Sequence, residues 1–214
     1  METSDAAAGP PSCHLDNLIR RLPLLDPCRG DLERAFKMIR DAFLARNKVL
    51  ICGNGGSAAD AEHWAGELLK GFCKPRHLSH EDRERLPLEL GERLQGGLPI
   101  IPLTGFPALS TAFANDVEPE LTFAQLTWAL GREGDVLIGM STSGNARNVC
   151  FAARAARGRG MSTIALTGES GGTLRSVCDL TIRVPSQETY LVQELHLPVY
   201  HCLSLMLEDE FFSG

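Results

Sequence analysis

Two kinds of chemistry are combined in one short stretch of the sequence, LICGNGGSAADAEHWAGELLKGF at residues 50–72. Its glycine-rich part, GNGGS at residues 53–57, follows an apolar run and precedes a helical pattern. Free backbone amides at the start of a helix favour an anion such as phosphate. His63 and Glu67 lie four positions apart in that helical pattern, so the imidazole and the carboxylate share one face and can converge on one metal ion or one substrate. The stretch therefore predicts a site for a charged small molecule that undergoes chemistry.

A second loop rich in hydroxyl groups, STSGN at residues 141–145, follows the apolar run DVLIGM. Open α/β sheets bind ligands at the carboxyl ends of their strands, and the hydroxyls of Ser141, Thr142 and Ser143 can hold a phosphate together with backbone amides. Taken singly, the STSGN loop also fits an N-capping turn, and the GNGGS loop an ordinary strand-to-helix turn. Two such loops in successive units favour a ligand of the phosphosugar type.

The last helical segment contains a third group of polar residues, Gln193, Glu194, His196 and His201. Glu194 and His201 are seven positions apart and lie nearly in line on a helix. His196 and His201 are five apart and point roughly 140° from each other. The two histidines therefore do not easily serve one site, and one of them is expected to be structural. Spacing alone leaves open which one.

The elements that must position these residues form an alternating pattern. After two amphipathic helical segments come five apolar runs separated by helical patterns, namely KVLIC, LPIIPLT, DVLIGMS, STIALT and DLTIRVP. Runs that are apolar throughout are typical of parallel strands covered on both faces. The sequence therefore predicts an α/β fold, a three-layer sandwich around a five-stranded parallel sheet. The two N-terminal helices are expected to cover either the sheet or a partner subunit.

The length of 214 residues predicts one domain, residues 13–214, after a flexible tail at residues 1–12 that is rich in Ala, Gly and Pro. Residues 73–97 are charged and interrupted by prolines, and we expect an insertion loop there, because a loop this long in a compact domain is usually an insertion, a lid or a mobile segment. Pro198 interrupts the last helical pattern, where a kink is favoured over two separate helices.

Composition argues against several classes of protein. The 27 acidic and 21 basic residues give a net charge of -6, which disfavours non-specific binding to nucleic acid or to an anionic membrane. No apolar run approaches the ~20 residues that cross a bilayer, and the start lacks the features of a secretory signal, so we expect a cytoplasmic protein. The seven cysteines are scattered without a CxxC pair and are interpreted as reduced thiols, mostly packing groups.

Beyond these patterns, the chain resembles the SIS (sugar isomerase) domain family, and within it the sedoheptulose 7-phosphate isomerases, also called phosphoheptose isomerases. The matching stretches extend from Val49 to the end in the family's order: CGNGGSAADAEHWAGEL, FANDV, GREGDVLIGMSTSGNARNV, ALTGESGG, IRVP and VQELHLPVYH. The resemblance implies a flavodoxin-like sheet of five parallel strands and a homotetramer with sites at subunit contacts. It also implies aldose–ketose isomerisation of a sugar phosphate, in heptose synthesis for lipopolysaccharide or S-layer glycans.

The same resemblance implies the site residues, position by position. Those that would bind the substrate are Asn54, Gly55, Gly56, Ser57, Glu67, Asn115, Asp116, Ser141, Thr142, Ser143 and Gln193. One zinc ion per subunit is implied, and its ligands would be His63, Glu67, Gln193 and His201. This assignment makes His201, rather than His196, the functional histidine.

Isomerisation needs a base that removes a proton from the carbon beside the carbonyl and a proton shuttle between the two oxygens. Glu67 is the predicted base and His201 the predicted acid, and a zinc ion would polarise the carbonyl. If Glu67 is a zinc ligand throughout turnover it cannot also be a free base, so its role stays open between the two.

The chain departs from the family pattern at three positions and has a longer 73–97 loop than is usual. Ala146 stands in place of a phosphate-contacting Ser, Tyr190 in place of an Asp, and Gly71 in place of an Arg, so these changes bear on phosphate affinity and sugar identity. The alternative function is a non-catalytic SIS-fold adaptor or regulator that binds a sugar phosphate or a replication-initiator protein. Such a module would need the two phosphate loops but neither Glu67 nor His201, and the presence of both favours the enzyme.

Overall fold

All five apolar runs are strands of one parallel sheet. In the computed structural model, which describes residues 12–212, the strands are β1 (Val49–Cys52), β2 (Ile100–Pro102), β3 (Val136–Met140), β4 (Ser162–Thr167) and β5 (Leu180–Arg183). Their order is β2-β1-β3-β4-β5, the flavodoxin-like order. The register pairs Val49 with both Ile100 and Val136. The predicted α/β fold with a five-stranded parallel sheet is confirmed.

Helices connect the strands and cover both faces of the sheet. The α-helices among the described residues are α1 (Ser12–Arg21), α2 (Arg29–Leu44), α3 (Gly56–Leu69), α4 (His80–Glu84), α5 (Leu88–Gly91), α6 (Pro107–Asp116), α7 (Thr122–Leu130), α8 (Arg147–Gly158), α9 (Leu174–Val177) and α10 (Thr189–Phe211). Short 3₁₀ helices precede α2, α6 and α7 and span Pro23–Cys28, Leu103–Gly105 and Pro119–Leu121. The helical patterns of the sequence therefore correspond to helices, and α4, α5 and α9 are additional short ones.

Two apolar cores lie on opposite faces of the sheet, because side chains along each strand alternate between the faces. On one face, Val49 and Ile51 pack with buried residues of α1, α2, α3 and α10. On the other face, Leu50 and Cys52 pack with buried residues of α7, α8 and α9. Strands buried on both faces account for the continuous apolar runs from which the parallel sheet was predicted.

The N-terminal helices pack on their own chain. Leu15 and Leu18 of α1, and Leu32 and Ile39 of α2, are buried in the core that contains α10 and one face of the sheet. The two N-terminal helices were expected to cover either the sheet or a partner subunit, and in the structure they cover the sheet. The predicted tail lies outside the described residues, except for Ser12, at which α1 begins.

Residues 73–97 contain ordered structure rather than a bare loop. They include α4, α5 and an isolated antiparallel bridge between His77 and Gln95. The last helix, α10, is continuous through Pro198, in agreement with the expectation of one helix rather than two. No helix between residues 12 and 212 is long and apolar enough to span a membrane.

The seven cysteines are free thiols, and four of them are buried, namely Cys28, Cys52, Cys150 and Cys202. Burial raises the pKa of Cys28 to about 11 and those of Cys178 and Cys202 to about 12. Such thiols stay protonated at neutral pH and behave as small apolar side chains. The interpretation of the cysteines as packing groups therefore fits their surroundings.

Candidate functional site

The candidate site lies where the order of the sheet changes direction. The chain leaves β1 towards β2 at one edge, and leaves β3 towards β4 and β5 at the other. The loops after β1 and β3 therefore diverge and leave a crevice at the carboxyl ends of the two strands, which is where open α/β sheets bind ligands. The GNGGS loop follows β1 and the STSGN loop follows β3, so both sequence motifs meet at this crevice.

The GNGGS loop leads directly into α3, which begins at Gly56. Ser57 in its first turn is only 3% exposed, although it is polar. A Cβ atom on Gly56 would lie 2.5 Å from the side-chain nitrogen of Gln193 on α10. A side chain at position 56 would therefore displace the Gln193 amide, which lies beside the free amides of the helix N-terminus.

The STSGN loop is held in shape by its own hydroxyls and leads into α8. Ser143 Oγ accepts a hydrogen bond from the backbone N–H of Asn145, and Ser141 Oγ accepts one from that of Ala146. Ala146 occupies the N-cap position of α8 and provides no side-chain cap. The interpretation of this loop as an N-capping turn is therefore wrong, because its hydroxyls are not the cap of α8.

Together the two loops and the start of α10 enclose a cavity of about 390 Å³. Its lining residues are Asn54, Gly55, Gly56, Ser57, Met140, Ser141, Thr142, Ser143, Ala146, Thr189 and Gln193. None of these lining residues is a lysine or an arginine. An anion bound here by this chain would be held by hydroxyls, amides and the N-terminus of α3 rather than by a cationic side chain.

A pair of asparagine side chains connects the two loops across the cavity. Asn54 Nδ2 donates to Asn148 Oδ1 over 2.9 Å, and Asn148 Nδ2 donates back to Asn54 Oδ1 over 2.8 Å. Asn148 lies in the first turn of α8, so the reciprocal pair links the GNGGS loop to the helix that follows the STSGN loop. No pattern in the sequence marks Asn148, because no spacing rule joins two residues that are 94 positions apart.

Further along α3, a compact polar cluster joins it to α10. His63 Nε2 lies 3.3 Å from Glu67 Oε1, and His201 Nε2 lies 2.9 Å from the same oxygen. Ligand atoms of these three residues, which we call the His63–Glu67–His201 cluster, all lie within 4.8 Å of one another. The structure therefore brings together three of the four residues that were expected to bind zinc.

Neighbouring side chains fix the orientation of His63. The Tyr200 hydroxyl donates to Asp60 Oδ1 over 3.2 Å and lies 3.0 Å from His63 Nδ1. A hydroxyl has one proton to donate, so Nδ1 of His63 is the donor in the second bond and Nε2 keeps its lone pair. That lone pair is on the nitrogen nearest to Glu67, as a metal-binding histidine requires.

Glu67 is buried, and neighbouring groups stabilise its charged form. The Ser204 hydroxyl donates to Glu67 Oε2 over 2.8 Å. Burial raises the pKa of Glu67 above its usual value, while the Ser204 hydrogen bond and His63 oppose the shift. Burial and the proximity of His63 lower the pKa of His201. Ser204 was missed in the sequence, although its position three residues after His201 places it on the same helix face.

The donor set and its unsatisfied atoms fit a divalent cation such as zinc. Glu67 Oε1 and His201 Nε2 are both buried and only 2.9 Å apart, yet neither has a hydrogen-bond partner within residues 12–212. Two imidazole nitrogens and one carboxylate oxygen are ligands that zinc accepts, and catalytic zinc sites commonly use three protein ligands. The His63–Glu67–His201 cluster therefore has the types of ligand atom, and their proximity, that a metal ion needs.

Several residues singled out in the sequence lie outside the cluster and outside the 390 Å³ cavity. His196 is fully buried, and burial lowers its pKa to about 4. It does not belong to the cluster, so the structure distinguishes the two histidines that spacing could not. Asn115 and Asp116 are exposed at the end of α6, where Asn115 Nδ2 donates to Asp116 Oδ1, and neither lines the 390 Å³ cavity. Tyr190, at the start of α10, is 61% exposed.

The backbone turn at Gly71, where the family pattern has an arginine, leaves no room for a side chain. A Cβ atom on Gly71 would lie 2.4 Å from the carbonyl oxygen of Lys74. The backbone N–H of Gly71 donates to the side chain of Gln95, at the far end of the 73–97 segment. An arginine at this position would therefore require the turn that begins this segment to move.

Comparisons with known proteins agree with this geometry. The family model of the SIS domain matches residues 108–207. The phosphoheptose isomerase of Halorhodospira halophila is 41% identical over 202 residues, which cover 93% of this chain and 92% of the relative. Solved structures of phosphoheptose isomerases from Neisseria gonorrhoeae and Francisella tularensis superpose with TM-scores of 0.74 and 0.75, at 32% and 31% identity, and each comparison covers 92% of this chain and 96% of the other. The chain belongs to the phosphoheptose isomerase family of SIS-domain proteins.

Proposed function

We propose that the chain is an aldose–ketose isomerase that converts sedoheptulose 7-phosphate to D-glycero-D-manno-heptose 7-phosphate through an enediolate. The observation that supports it best is that one helix joins two unlike half-sites. The start of α3 forms part of a cavity suited to an anion, and the same helix presents His63 and Glu67 to His201. At 1.5 Å per residue, Ser57 and His63 are about 9 Å apart along the helix.

This separation orients the substrate. Sedoheptulose 7-phosphate has its phosphate at one end of the carbon chain and its carbonyl near the other. The phosphate binds at the N-terminus of α3, where Ser57, the hydroxyls of the STSGN loop and the free amides surround it. The carbonyl end then extends towards the His63–Glu67–His201 cluster. Family membership supports the same substrate, because the relatives are named phosphoheptose isomerases.

Proton transfer is assigned to Glu67 and His201. Burial raises the pKa of Glu67, which strengthens it as a base towards the proton on the carbon beside the carbonyl. The lowered pKa of His201 keeps its imidazole neutral near pH 7, so it has one proton to give to a substrate oxygen and one lone pair to take a proton back. The Ser204 hydroxyl holds Glu67 Oε2, which leaves Oε1 facing both histidines.

Zinc is the proposed cofactor, one ion per subunit. The residues that would hold it are His63, Glu67 and His201, with Gln193 as the proposed fourth ligand, and it would polarise the substrate carbonyl when bound. Glu67 Oε1 cannot hold a cation and remove a carbon-bound proton in the same step, and a His201 nitrogen that holds the cation cannot take up a proton in that step. If turnover requires the metal, Glu67 is a ligand, and if turnover persists without it, Glu67 is free to act as the base.

The proposed assembly is a cytoplasmic homotetramer in which sites lie at subunit contacts. Helix α6 supports such an assembly, because none of its ten residues is buried within the chain. Asn115 and Asp116 at its end do not line the chain's own cavity, and in the proposed assembly they face a sugar bound across a subunit contact. Light scattering of the purified protein measures the oligomeric state, and a monomer would contradict this part of the proposal.

An isomerisation assay together with metal analysis tests the proposed function. The purified chain is expected to interconvert sedoheptulose 7-phosphate and the heptose 7-phosphate, and to do so faster than it converts pentose or hexose phosphates. It should contain about one zinc ion per chain. Chelation that abolishes turnover but leaves sugar-phosphate binding intact identifies a catalytic metal. Failure to isomerise any of these sugar phosphates would contradict the proposal.

A further inference from the structure

A buried arginine in the 73–97 segment lies directly behind the His63–Glu67–His201 cluster. Arg76 is 1% exposed, and its guanidinium donates to the backbone carbonyl oxygens of Leu68 over 2.7 Å and of Glu67 over 3.0 Å. These carbonyls belong to the last turn of α3, which lacks helical partners for them. Arg76 therefore ends the helix that presents Glu67, and its positive charge lies at the negative end of the helix dipole.

The partner of Arg76 is a buried carboxylate on α10. Arg76 Nε donates to Glu208 Oε1 over 2.8 Å, and Glu208 is 1% exposed. Both oxygens of Glu208 also accept backbone N–H groups, Oε1 from Phe72 and Oε2 from Cys73, each over 2.8 Å. The ring of Phe212 lies 4.6 Å from the guanidinium carbon and covers it. A buried ion pair of this kind is tolerated only when it has further hydrogen bonds, and here each guanidinium nitrogen and each carboxylate oxygen has at least one.

Glu67 is therefore held at its side chain and at its backbone carbonyl, and both contacts lead to α10. The side chain of Glu67 accepts a hydrogen bond from Ser204, and its backbone carbonyl accepts one from Arg76, which is bound to Glu208. His201, Ser204 and Glu208 follow one another at spacings of three and four on α10, so they share one face of that helix. Arg76 is the one described side chain that bonds to the backbone of Glu67 and to a residue of this face.

We propose that Arg76 is a positioning residue of the active site, which sets the distance between Glu67 and His201 by joining the end of α3 to α10. The 73–97 segment is then part of the framework of the site rather than a loop inserted beside it. The effect on turnover rests on the proposed function, whereas the effect on metal binding does not. Losses of metal affinity or activity on removal of such a supporting contact are commonly about 10- to 100-fold.

Arg76→Lys tests the proposal, because lysine keeps the charge for Glu208 but has no planar fork to reach two carbonyls. We expect kcat on sedoheptulose 7-phosphate and zinc affinity, measured by competition with a chromophoric chelator, each to fall at least tenfold. KM should change less than threefold, because the phosphate cavity is at the other end of α3. Glu208→Gln, which keeps the shape of its side chain, should lower the same two quantities.

A second buried carboxylate provides a matched control for lost stability. Asp135 is 1% exposed, pairs with Lys48 and accepts the backbone N–H groups of Lys48 and Arg132, and it precedes β3 at the opposite end of the sheet from the site. Asp135→Asn should lower Tm as Arg76→Lys does, but leave kcat and zinc affinity within about twofold of the parent.

The outcomes separate this inference from the proposed function. If Arg76→Lys and Glu208→Gln change kcat and zinc affinity no more than Asp135→Asn does, the two residues are structural only and the inference is overturned. A parent chain that binds zinc but turns over no sugar phosphate contradicts the proposed function alone, and the zinc affinities then decide on Arg76. A parent that does neither has no site of this kind for Arg76 to position, and overturns the inference too.

Discussion

The two ends of α3 contribute to the site through different kinds of chemical group. At its N-terminus, the cavity is formed by loop backbone and short side chains such as Ser57 and Ser143, contributed by segments that follow two neighbouring strands. Towards its C-terminus, the His63–Glu67–His201 cluster is formed by rings and a carboxylate from two long helices. A guanidinium and a second carboxylate behind the cluster are almost completely buried. The cavity is therefore formed mainly by backbone groups, and the cluster is formed by side chains.

This difference has consequences for how function is distributed. Many similar donors surround the cavity, so each one contributes a modest part of the binding free energy of an anion. The cluster has few groups, and each has a separate role that no neighbour can take over. Substitutions in the cluster are therefore expected to have large effects on turnover and metal content, and substitutions in the cavity smaller effects on substrate affinity.

The largest effect is expected for Glu67→Gln. The amide keeps the shape of the side chain and an oxygen to accept the Ser204 hydroxyl, but it cannot act as a base, so kcat should fall by about 10² to 10⁴. The measurement is steady-state kinetics on the sugar phosphate. Glu62→Gln is the control, because Glu62 is exposed on the same helix and should leave kcat unchanged. Comparable rates for the two variants would show that the cluster is not the centre of the reaction.

Metal content should distinguish the two histidines of α10. His201→Ala removes a ring that lies 2.9 Å from Glu67, and its zinc affinity should fall by at least the ~100-fold that the loss of supporting contacts can reach. His196→Ala should keep zinc within about threefold of the parent, although it empties a buried volume and lowers stability. Elemental analysis after chelator competition provides the comparison. Equal zinc loss in both variants would place His196 at the metal and contradict the assignment.

The sequence predicts the cavity better than the cluster, because the cavity comes from local patterns and the cluster from contacts between distant elements. The strands, their parallel direction and the two loops can be predicted from local features, because continuous apolar runs and glycine-rich turns leave a pattern within a few residues. The cluster depends on contacts between α3 and α10, which are about 137 positions apart, as in the Ser204–Glu67 bond. Spacing could show that His196 and His201 diverge, but only packing shows which one meets Glu67. No local pattern marks Asn148 or Arg76, because their partners come from distant elements.

The stability of the protein should depend on pH through His196, which lies on α10 between the two half-sites. Burial lowers the pKa of His196 to about 4 in the folded chain, against about 6.5 when unfolded. The unfolded state therefore binds the proton more readily, so stability is present above pH 6.5 and is lost as the pH falls towards 4. Between pH 7.5 and pH 5, protonation of this residue in the unfolded state should lower the free energy of unfolding by about 2 kcal/mol. Urea unfolding of the parent and of His196→Gln measures the difference, and parallel pH curves would contradict it.

Smaller effects are expected in the cavity. Ser57→Ala removes one hydrogen bond to a charged phosphate and should weaken sugar-phosphate binding by about 1.5 to 3 kcal/mol. The phosphate is held alike in the ground and transition states, so KM should rise more than kcat falls. Ser143→Ala should act in the same direction. Calorimetric titration with the sugar phosphate and with its dephosphorylated analogue checks this, and equal affinity of the parent for both ligands would show that the two loops are ordinary turns.

The smallest expected effect is at Ala146, which lines the cavity and occupies the N-cap position of α8 with extended backbone angles. A hydroxyl here can accept a backbone N–H from the first turn of α8 and at the same time donate its own proton to a phosphate oxygen. Ala146→Ser should therefore raise the free energy of unfolding by about 0.5 to 2 kcal/mol and tighten phosphate binding about two- to tenfold. Thermal unfolding and titration with inorganic phosphate measure the two effects separately.

Ala146→Asp separates the cap from the anion contact. A carboxylate caps a helix about as well as a hydroxyl, so the gain in stability should be similar in both variants. Its negative charge lies beside the bound phosphate, however, so affinity should fall below that of the parent instead of rising. Opposite changes in affinity with equal changes in stability would show that position 146 faces the anion. If both variants gain stability and neither changes phosphate affinity, the position serves α8 alone, and the phosphate is held without any contribution from the start of that helix.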